Sequence, residues 1–268
     1  MNPAGRPRSR PSKDKPLYAA QRQQAILMAL ANSGRVDAAA MAAQLSVTSE
    51  TVRKDLTALE RQGRLRRVHG GAIPILDLSF EPDVSVRVEY ADEKRRIAVA
   101  ALAHLPNAGT ILIDAGSTTG RFAELIAPDR PLTVFTNALP IALTLSSRPN
   151  VTVHTLGGRV RSRTFAEVDS WAARTLSELN VDVAFVGTNA MSVERGLTTP
   201  DPAEAAIKRL MLERAAQRIL LADHGKIGRV STHKYGDLAD IDLLITDSGI
   251  DDASERALRD AGLALEKT

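Results

Sequence analysis

A short polar segment that follows an apolar run is well suited to hold an anion. Residues 114–119 read Asp-Ala-Gly-Ser-Thr-Thr and come directly after Thr110–Ile113. A strand that passes through a glycine-containing turn into a helix points backbone N–H groups and hydroxyls at one place, and such a place binds phosphate. The alternative is an ordinary turn in which Ser117 or Thr118 only caps the helix. The predicted ligand contacts here are Asp114, Gly116, Ser117, Thr118 and Thr119, with Asp114 facing a ligand hydroxyl or orienting the turn.

Polar loops also follow the other apolar runs. Ligands bind open parallel sheets at the carboxyl ends of the strands, so these loops are expected to converge. They add Thr136, Asn137, Gly157 and Gly158 to the predicted ligand contacts. Two lysines are candidate cations for a phosphate: Lys208 in a helical pattern and Lys226 in a turn. The alternative for Lys208 is a solvated surface lysine, since this residue type is mostly exposed.

A second group of residues has the chemistry of nucleic-acid recognition. A helical pattern from Ser49 to about Gln62 follows a short helix and a tight turn, which is the layout of a helix-turn-helix. Two extended runs around Gly70-Gly71 predict a β-hairpin, or wing. Hydroxyls and cations on these elements can reach phosphates and base edges, and the alternative is a helical bundle with solvated charges. The predicted DNA contacts are Thr48, Ser49, Thr51, Arg53, Lys54, Arg66, Arg67 and His69.

The charge is divided unevenly along the chain. Residues 1–73 contain 13 Lys and Arg against 5 Asp and Glu, a net charge of +8, whereas the remaining residues have a net charge of −5. A basic end on a mildly acidic body indicates contact with a polyanion, and the alternative is a basic tail without a partner. The chain has no cysteine, which excludes disulfides and thiolate metal sites. No metal, cofactor or catalytic residue is predicted.

The elements that position these residues change character along the chain. Before residue 74, helical patterns have apolar faces, at Ile26, Leu27 and Leu30 and then at Val52, Leu56 and Leu59. From Asp92 onward, short apolar runs alternate with helical patterns, which predicts a mostly parallel sheet covered by helices. The predicted strands are Thr110–Ile113, Leu132–Phe135, Val151–Leu156, Val181–Val186, Arg218–Leu221 and Ile241–Ile245. The predicted helices are 119–127, 138–147, 170–179, 202–216 and 252–261.

These patterns predict four segments. Residues 1–17 form a disordered basic tail, 18–73 a winged helix-turn-helix domain, 74–91 a linker, and 92–268 an α/β domain that binds an effector and carries the oligomer interface. Winged-helix proteins usually bind two half-sites as symmetric dimers, so a dimer or tetramer is expected. No apolar run could span a bilayer and the N-terminal residues lack a secretory signal, so a cytoplasmic protein without membrane contact is expected.

The DNA-binding segment resembles a known family. Residues 48–72, TSETVRKDLTALERQGRLRRVHGGA, are similar to the signature of the DeoR family of bacterial sugar-metabolism regulators, which has a T-[VI]-R-[RK]-D-L helix and an L-x-R-x-H-G-G-A wing. The resemblance implies a winged helix-turn-helix that binds double-stranded operator DNA. Asp55 is expected to pair with an arginine such as Arg53 or Arg66, and the alternative is a solvated carboxylate.

The resemblance continues through the larger domain. Its motifs are DAGSTTG (114–120), TNALPIA (136–142), LGG (156–158), GLTTPDPAEAAIKR (196–209) and LADHGKIGR (221–229). The sensor of this family resembles ribose-5-phosphate isomerase and glucosamine-6-phosphate deaminase, which implies a phosphorylated sugar or a close relative as effector. Two positions depart from the family pattern. Asp169 stands where a glycine is usual, and Gly225 stands where a serine is common.

Three functions are compatible with this pattern. The first is a metabolite-responsive regulator, a repressor of a carbohydrate-utilisation operon that the effector relieves. The second is a sugar-phosphate isomerase or deaminase with an added DNA-binding domain, for which Asp114, Glu204, Asp223 and His224 are candidate acid–base groups. The third is an architectural DNA-binding protein, which leaves the larger domain unexplained. The wing and recognition helix have no use in an isomerase, so the regulator is favoured over an enzyme.

Overall fold

The chain divides into two compact units, residues 1–77 and 78–268. The computed structural model describes residues 18–33, 35–62, 64–73, 78, 81 and 83–268. The predicted basic tail and part of the predicted linker lie outside the described residues. No helix of the described residues is long and apolar enough to cross a membrane.

The N-terminal unit contains three helices and a small antiparallel sheet. Its elements are α1 (Ala19–Ser33), β1 (Val36–Asp37), α2 (Ala38–Gln44), α3 (Ser49–Arg61), β2 (Arg66–Val68) and β3 (Gly71–Ile73). The strand order is β1-β3-β2. Gly71 is required for the pairing of β3 with β1, because a Cβ atom there would lie 1.8 Å from the Val36 carbonyl oxygen. The fold is the predicted winged helix-turn-helix.

The apolar faces predicted for α1 and α3 form the core of this unit. Ile26 and Leu30 of α1 and Val52, Leu56 and Leu59 of α3 are all buried. A buried aliphatic side chain contributes about 1.5–3 kcal/mol through removal from water, so this cluster stabilises the three-helix arrangement.

The predicted partner of Asp55 is wrong. Its carboxylate, buried on the inner side of α3, accepts hydrogen bonds from Arg22 of α1, with Nε–Oδ2 at 2.7 Å. Arg53 is instead 66% exposed and lies only at the limit of ion-pair distance from Glu50, at 4.0 Å. The physical reason is the helical period, which turns Asp55 toward α1 and Arg53 toward solvent.

The C-terminal unit is built on a seven-stranded parallel sheet of order β15-β14-β12-β9-β4-β5-β6. The strands of this sheet are β4 (Gly109–Ile113), β5 (Leu132–Thr136), β6 (Val151–Thr155), β9 (Val181–Gly187), β12 (Ala215–Leu221), β14 (Leu243–Thr246) and β15 (Leu265–Lys267). The helices are α4 (Ala91–Ala101), α5 (Ser117–Leu125), α6 (Leu139–Ser146), α7 (Asp169–Ser177), α8 (Pro202–Glu213) and α9 (Asp252–Asp260). The predicted class, a parallel α/β domain, is confirmed.

The sheet is covered on both faces, which explains its continuous apolar strands. Ile111 and Ile113 of β4 belong to one core cluster, with residues of α4, α5 and α6. Leu112, between them, belongs to the other, with residues of α7, α8 and α9. Successive side chains of a strand point to opposite faces, so the central strands β4, β9, β12 and β14 contribute to both clusters.

Two small antiparallel sheets and one parallel strand were not predicted from the sequence. The hairpin of β7 (Arg159–Val160) and β8 (Glu167–Val168) precedes α7, and β10 (Ala190–Ser192), β11 (Gly196–Thr199) and β13 (His233–Gly236) form a three-stranded sheet. The unpredicted parallel strand is β15 at one sheet edge.

The described residues between 78 and 90, here called the strap, pack within the C-terminal unit. Ser231 Oγ donates to the Leu78 carbonyl at 2.6 Å, and the Val84 N–H donates to the Arg163 carbonyl at 2.7 Å. Glu81 is 2% exposed. This part of the segment predicted as a linker is therefore tied to the sensor unit through buried contacts.

Candidate functional site

The first turn of α3 presents the predicted DNA contacts at the surface. Thr48 is the N-cap, and its hydroxyl accepts from the Thr51 N–H at 3.1 Å and lies 2.9 Å from the Thr51 hydroxyl. The two hydroxyls therefore have a structural role at the start of the helix. Arg53 and Lys54 are exposed on the next turn, and Ser49 is half-buried.

The wing is a β-hairpin with a two-residue turn, His69-Gly70. Gly70 has a φ of +81°, a conformation that glycine adopts without strain. Arg66 and Arg67 are exposed on β2. They differ in role, because Arg67 is braced against α3 by an ion pair with Glu60, with Nε–Oε2 at 3.2 Å, and by a short hydrogen bond to Thr57. Arg66 makes no ion pair with any residue that the structure describes.

A polar cleft opens in the C-terminal unit where the strands β4, β9 and β12 end. It lies at the N-terminus of α5, whose first residues carry no side-chain cap. The cleft is lined by Arg87, Ala115, Gly116, Ser117, Thr118, Thr119, Gly187, Thr188, Asn189, Lys208, Leu221, Ala222, Asp223 and Lys226. The structure thus brings together Gly116, Ser117, Thr118, Thr119, Lys208 and Lys226 of the predicted ligand contacts. Uncapped N–H groups at a helix start and an adjacent cation can bind an anion.

The remaining predicted contacts are engaged inside the fold. The Asn137 side-chain oxygen accepts from the Ala115 N–H at 2.9 Å, and Thr136 Oγ1 donates to the Ile113 carbonyl at 2.7 Å. These bonds hold the loop before α5, and neither Asn137 nor Thr136 lines the cleft. Gly157, whose N–H donates to Glu167, and Gly158 also lie outside the lining.

Lys208 and Asp114 form a buried ion pair beneath the cleft. Lys208 Nζ donates to Asp114 Oδ2 and, at 2.9 Å, to the Gly187 carbonyl. Burial opposes the charged form of Lys208, but Asp114, Tyr235 and Glu204 together outweigh this effect and the pKa of Lys208 is raised. Asp114 also accepts from the Gly187 N–H at 3.0 Å. The charge of Lys208 is therefore balanced within the protein, and Asp114, whose side chain is 1% exposed, does not line the cleft.

Lys226 is the cleft lysine whose charge is less well balanced. Burial lowers the pKa of Lys226, and the nearby Asp223 carboxylate offsets this only in part. No residue that the structure describes forms an ion pair with it. A bound anion would supply the missing counter-charge.

Asp223 is a cleft residue that was not predicted as a ligand contact. It follows β12 and is fully buried, and neither of its carboxylate oxygens has a hydrogen-bond partner among the described residues. A buried carboxylate without donors is costly, so each such group requires an explanation. The sequence feature that could have identified Asp223 as a ligand contact is its position directly after a predicted strand.

The two departures from the family pattern have structural explanations. Asp169 has a φ of +76°, in the left-handed region that glycine prefers, and its carboxylate pairs with exposed Arg159 at 2.6 Å. Gly225 faces the ring of Tyr90, because a Cβ atom there would lie 2.6 Å from Tyr90 Cε2. In this chain the Tyr90 ring, 4.5 Å from the ring of His224, occupies space that a serine at 225 would need.

A buried network of charged side chains joins the strap to the cleft. Glu81 accepts from Arg161 Nη2 at 2.8 Å, from Arg87 Nη2 at 2.9 Å and from Asn189 Nδ2 at 3.3 Å. Burial raises the pKa of Glu81, but Arg161 and Arg87 outweigh this and the pKa is lowered. Arg161 also donates to Glu204 on α8. Glu81 and Arg87 were not predicted as functional residues.

The protein has a winged helix-turn-helix, followed by an α/β unit with a cleft suited to bind an anion. This combination defines a DNA-binding regulator with a sensor domain. Comparison with known families supports this class. Residues 22–75 match the DeoR-like helix-turn-helix domain and residues 89–248 match the DeoR C-terminal sensor domain. The chain belongs to the DeoR family, as its sequence motifs predicted.

Named relatives cover nearly the whole chain. The HTH-type transcriptional regulator GlpR of Haloferax volcanii is 35% identical over 92% of this chain and 96% of its own length. The HTH-type transcriptional repressor GlcR of Bacillus subtilis is 33% identical over 86% and 89%. Among solved structures, ribose 5-phosphate isomerase A from Neisseria gonorrhoeae is similar with 17% identity and a TM-score of 0.38, over 52% of this chain and 53% of the other.

Proposed function

We propose that this regulator is a repressor of a carbohydrate-utilisation operon and that a phosphorylated sugar or related metabolite releases it from DNA. The observation that carries the proposal is the cleft at the start of α5, where uncapped backbone N–H groups lie beside Lys226 and a buried, unpartnered Asp223. This combination suits a ligand that has both an anionic group and hydroxyls.

The phosphate is assigned to the α5 end of the cleft. Backbone N–H groups of the first turn and the hydroxyls of Ser117 and Thr118 are its donors, and the partial positive charge of the helix end favours an anion there. Lys226 is the neighbouring cation. Because burial lowers the pKa of Lys226, a dianion beside it would stabilise the charged form that the protein alone disfavours.

The hydroxyl-bearing part of the effector is assigned to Asp223. A carboxylate accepts hydrogen bonds from hydroxyls, and both of its oxygens are without donors in the described residues. Asn189, which also lines the cleft, is a second polar neighbour. Asp223 is preferred to Asp114 for this part of the effector, because Asp223 lines the cleft and Asp114, whose Oδ2 accepts from Lys208 and the Gly187 N–H, does not.

The DNA contacts are assigned to the exposed face of α3 and to the wing. Arg53 and Lys54 are placed in the major groove, and Arg66 and Arg67 on the phosphate backbone. The relatives named as repressors, GlcR and the putative aga operon repressor of Escherichia coli O157:H7, support the sign of regulation. We also propose that the C-terminal unit carries a homo-oligomer interface, because winged-helix proteins usually bind two half-sites as symmetric dimers.

The contacts of the candidate acid–base residues favour a regulator over an enzyme. Asp114 is paired with Lys208, and Glu204 with Arg161. His224 is hydrogen-bonded to Asp247, with Nδ1–Oδ2 at 2.7 Å. An isomerase requires a base and a second acid–base group positioned together at the substrate. Of the four candidates, only Asp223 is without a hydrogen-bond partner among the described residues, and the other three are bonded to partners within the protein.

The test is a thermal-unfolding screen of the full chain against phosphorylated sugars and their unphosphorylated counterparts. A ligand that binds only the folded state raises the unfolding temperature, so only phosphorylated compounds should do so. The best compound should then release the protein from duplexes selected for binding out of a random pool, without being converted. Equal shifts by the free sugars, or turnover of the compound, would contradict the proposal.

A further inference from the structure

The strap brings one cation into the effector cleft. Arg87 lines the cleft together with Lys226 and Ser117, although it lies on a segment that precedes the first helix of the sensor unit. Its guanidinium is 13% exposed and donates to Glu81 at 2.9 Å. A guanidinium has five donors in a planar fork, so it can bind a second anion only by sharing or changing partners.

Glu81 depends on residues that face the effector. Two of its three donors, Arg87 and Asn189, line the cleft and share its Oε1 atom, whereas Arg161 binds Oε2. Arg161 itself is in contact with two further carboxylates, Asp201 at 3.1 Å and Glu204. Arg161 is thus shared among three carboxylates, and Arg87 is the second cation that pairs with Glu81.

We propose that Arg87 binds the effector's phosphate and that Glu81 competes with the phosphate for it, so that occupancy of the cleft weakens the hold on the strap. This inference rests on the proposed function, since it places a phosphate at the start of α5. A phosphate dianion attracts Arg87 more strongly than a single carboxylate does. Transfer of Arg87 to the phosphate leaves Glu81 buried with a weaker set of donors.

The two ends of the strap respond differently when Arg87 binds the effector's phosphate. Lys94 of α4 donates to the Arg87 carbonyl at 3.2 Å and to the Glu89 carbonyl at 2.6 Å, which fixes the backbone at the α4 end. The other end is held by the Glu81 side chain and by Arg163, whose guanidinium donates to the Glu81 carbonyl and whose carbonyl accepts from the Val84 N–H. Ser231 and Thr232 also donate to the Leu78 carbonyl. Loss of the Glu81–Arg87 contact therefore loosens the strap around Glu81 and Val84, while the bonds to the Leu78 carbonyl remain.

Two substitutions with opposite expected effects test the binding half of the proposal. The probe is inorganic phosphate, titrated into the full-length protein at constant ionic strength and followed by the ³¹P resonance. Arg87→Gln should weaken phosphate binding about tenfold or more, because a charge-assisted contact is lost. Glu81→Gln should strengthen it severalfold, because the competing carboxylate becomes neutral. Arg159→Gln, which removes an exposed cation outside the cleft, is the matched control and should change nothing.

Amide hydrogen exchange at Val84 tests the second half of the proposal, that an occupied cleft weakens the hold on the strap. Phosphate should speed the exchange of this N–H in the wild-type protein and leave the residues near Lys94 unchanged. Arg87→Gln should show fast exchange at Val84 with or without phosphate. Arg87→Lys keeps the charge and should give an intermediate result, which protects the test against a poorly folded Arg87→Gln variant.

The outcomes separate this inference from the proposed function. If the wild-type protein does not bind phosphate, both this inference and the proposed phosphate site are overturned. If Ser117→Ala with Thr118→Ala abolishes binding but Arg87→Gln does not reduce it, only the role of Arg87 is overturned. Weaker binding in Glu81→Gln as well as in Arg87→Gln would show a purely structural network and overturn the competition. Unchanged exchange at Val84 in saturating phosphate would overturn the effect on the strap.

Discussion

Lys208 of α8 and Asp114 at the end of β4 form an ion pair in which the side chains are 4% and 1% exposed. The pair joins α8 to the loop that leads into α5, so it supports the floor of the cleft. Removing one partner of a buried pair leaves an uncompensated charge, which costs more than the pair itself contributes.

The first prediction follows from this pair. Lys208→Met should lower the free energy of unfolding by about 3–5 kcal/mol. The double variant with Asp114→Asn should recover part of the loss, because no charge is then left unpaired. Lys234→Met, which breaks an exposed pair with Asp237, is the control and should cost less than about 1 kcal/mol. Urea denaturation measures all three, and similar losses for Lys208→Met and Lys234→Met would contradict the assignment.

The second prediction separates two arginines of the DNA-binding unit. Arg53→Ala should reduce discrimination between selected and random duplexes by about 1–3 kcal/mol, without changing the unfolding temperature. Arg67→Ala should weaken binding to both kinds of duplex and also lower the unfolding temperature, because Arg67 is braced against Glu60 and Thr57. Fluorescence anisotropy and thermal unfolding provide the readouts. Arg53 is not a base contact if its removal leaves the sequence preference intact.

The third prediction concerns the backbone at Asp169. Its φ of +76° disfavours a side chain, and the left-handed conformation costs a non-glycine residue about 1–2 kcal/mol. Asp169→Gly also removes an exposed ion pair with Arg159, which contributes about 0–1 kcal/mol. Measured in an Arg159→Gln background, where that pair is already absent, Asp169→Gly should stabilise the protein by about 1 kcal/mol. Destabilisation in that background would mean that the carboxylate has another role.

The sequence predicted the parallel sheet because its central strands are apolar on both faces. The runs in β4, β5, β6, β9, β12 and β14 are visible without any knowledge of tertiary contacts. The strand β11 was not predicted, since Gly196–Thr199 reads as a polar turn. All four of its residues are nevertheless buried, with the Thr199 hydroxyl bonded to Asn189 at 2.9 Å. Polar side chains that find partners only in the folded state do not produce an apolar pattern.

The candidate site also has one part that the sequence predicted and another part that it did not. Ser117, Thr118 and Thr119 are neighbours in the chain, so a local motif was enough to group them. Glu81 meets Arg161 across 80 positions, and Arg161 meets Glu204 across 43. Charged residues at such separations look like ordinary solvated residues in the sequence. Their burial, and therefore their significance, follows only from the packing of the strap.

The fourth prediction tests the phosphate donors. Ser117→Ala with Thr118→Ala removes two hydroxyls at the start of α5 and keeps the backbone N–H groups. At about 1.5–3 kcal/mol for each hydrogen bond to a charged group, effector affinity should fall at least about tenfold. DNA binding without effector should be unchanged, which gives a repressor that is not induced. Normal affinity of this variant in calorimetry would place the phosphate elsewhere.

The fifth prediction concerns the pH dependence of effector binding. Burial lowers the pKa of Lys226 below its ordinary value of 10.5, and a bound dianion shifts it back upward. Binding is therefore strongest while Lys226 is charged in the free protein, and the affinity falls as the pH rises through the lowered pKa. Its charged neighbours include Asp223, Arg87, Arg229 and Glu89, of which Asp223 has the largest effect, and Lys94 of α4. On the acid side the affinity also falls, since a phosphate monoester loses its second charge near about pH 6.

Lys226→Arg isolates the alkaline part of that profile. A guanidinium stays protonated to a pH above about 12, so the variant should keep its affinity where the wild-type protein loses it. Lys234→Arg, on the exposed side of β13, should leave the profile of the wild-type protein unchanged. Isothermal calorimetry over a pH series measures both. If Lys226→Arg loses affinity over the same alkaline range as the wild-type protein, the titrating cation is a different residue and Lys226 does not bind the phosphate.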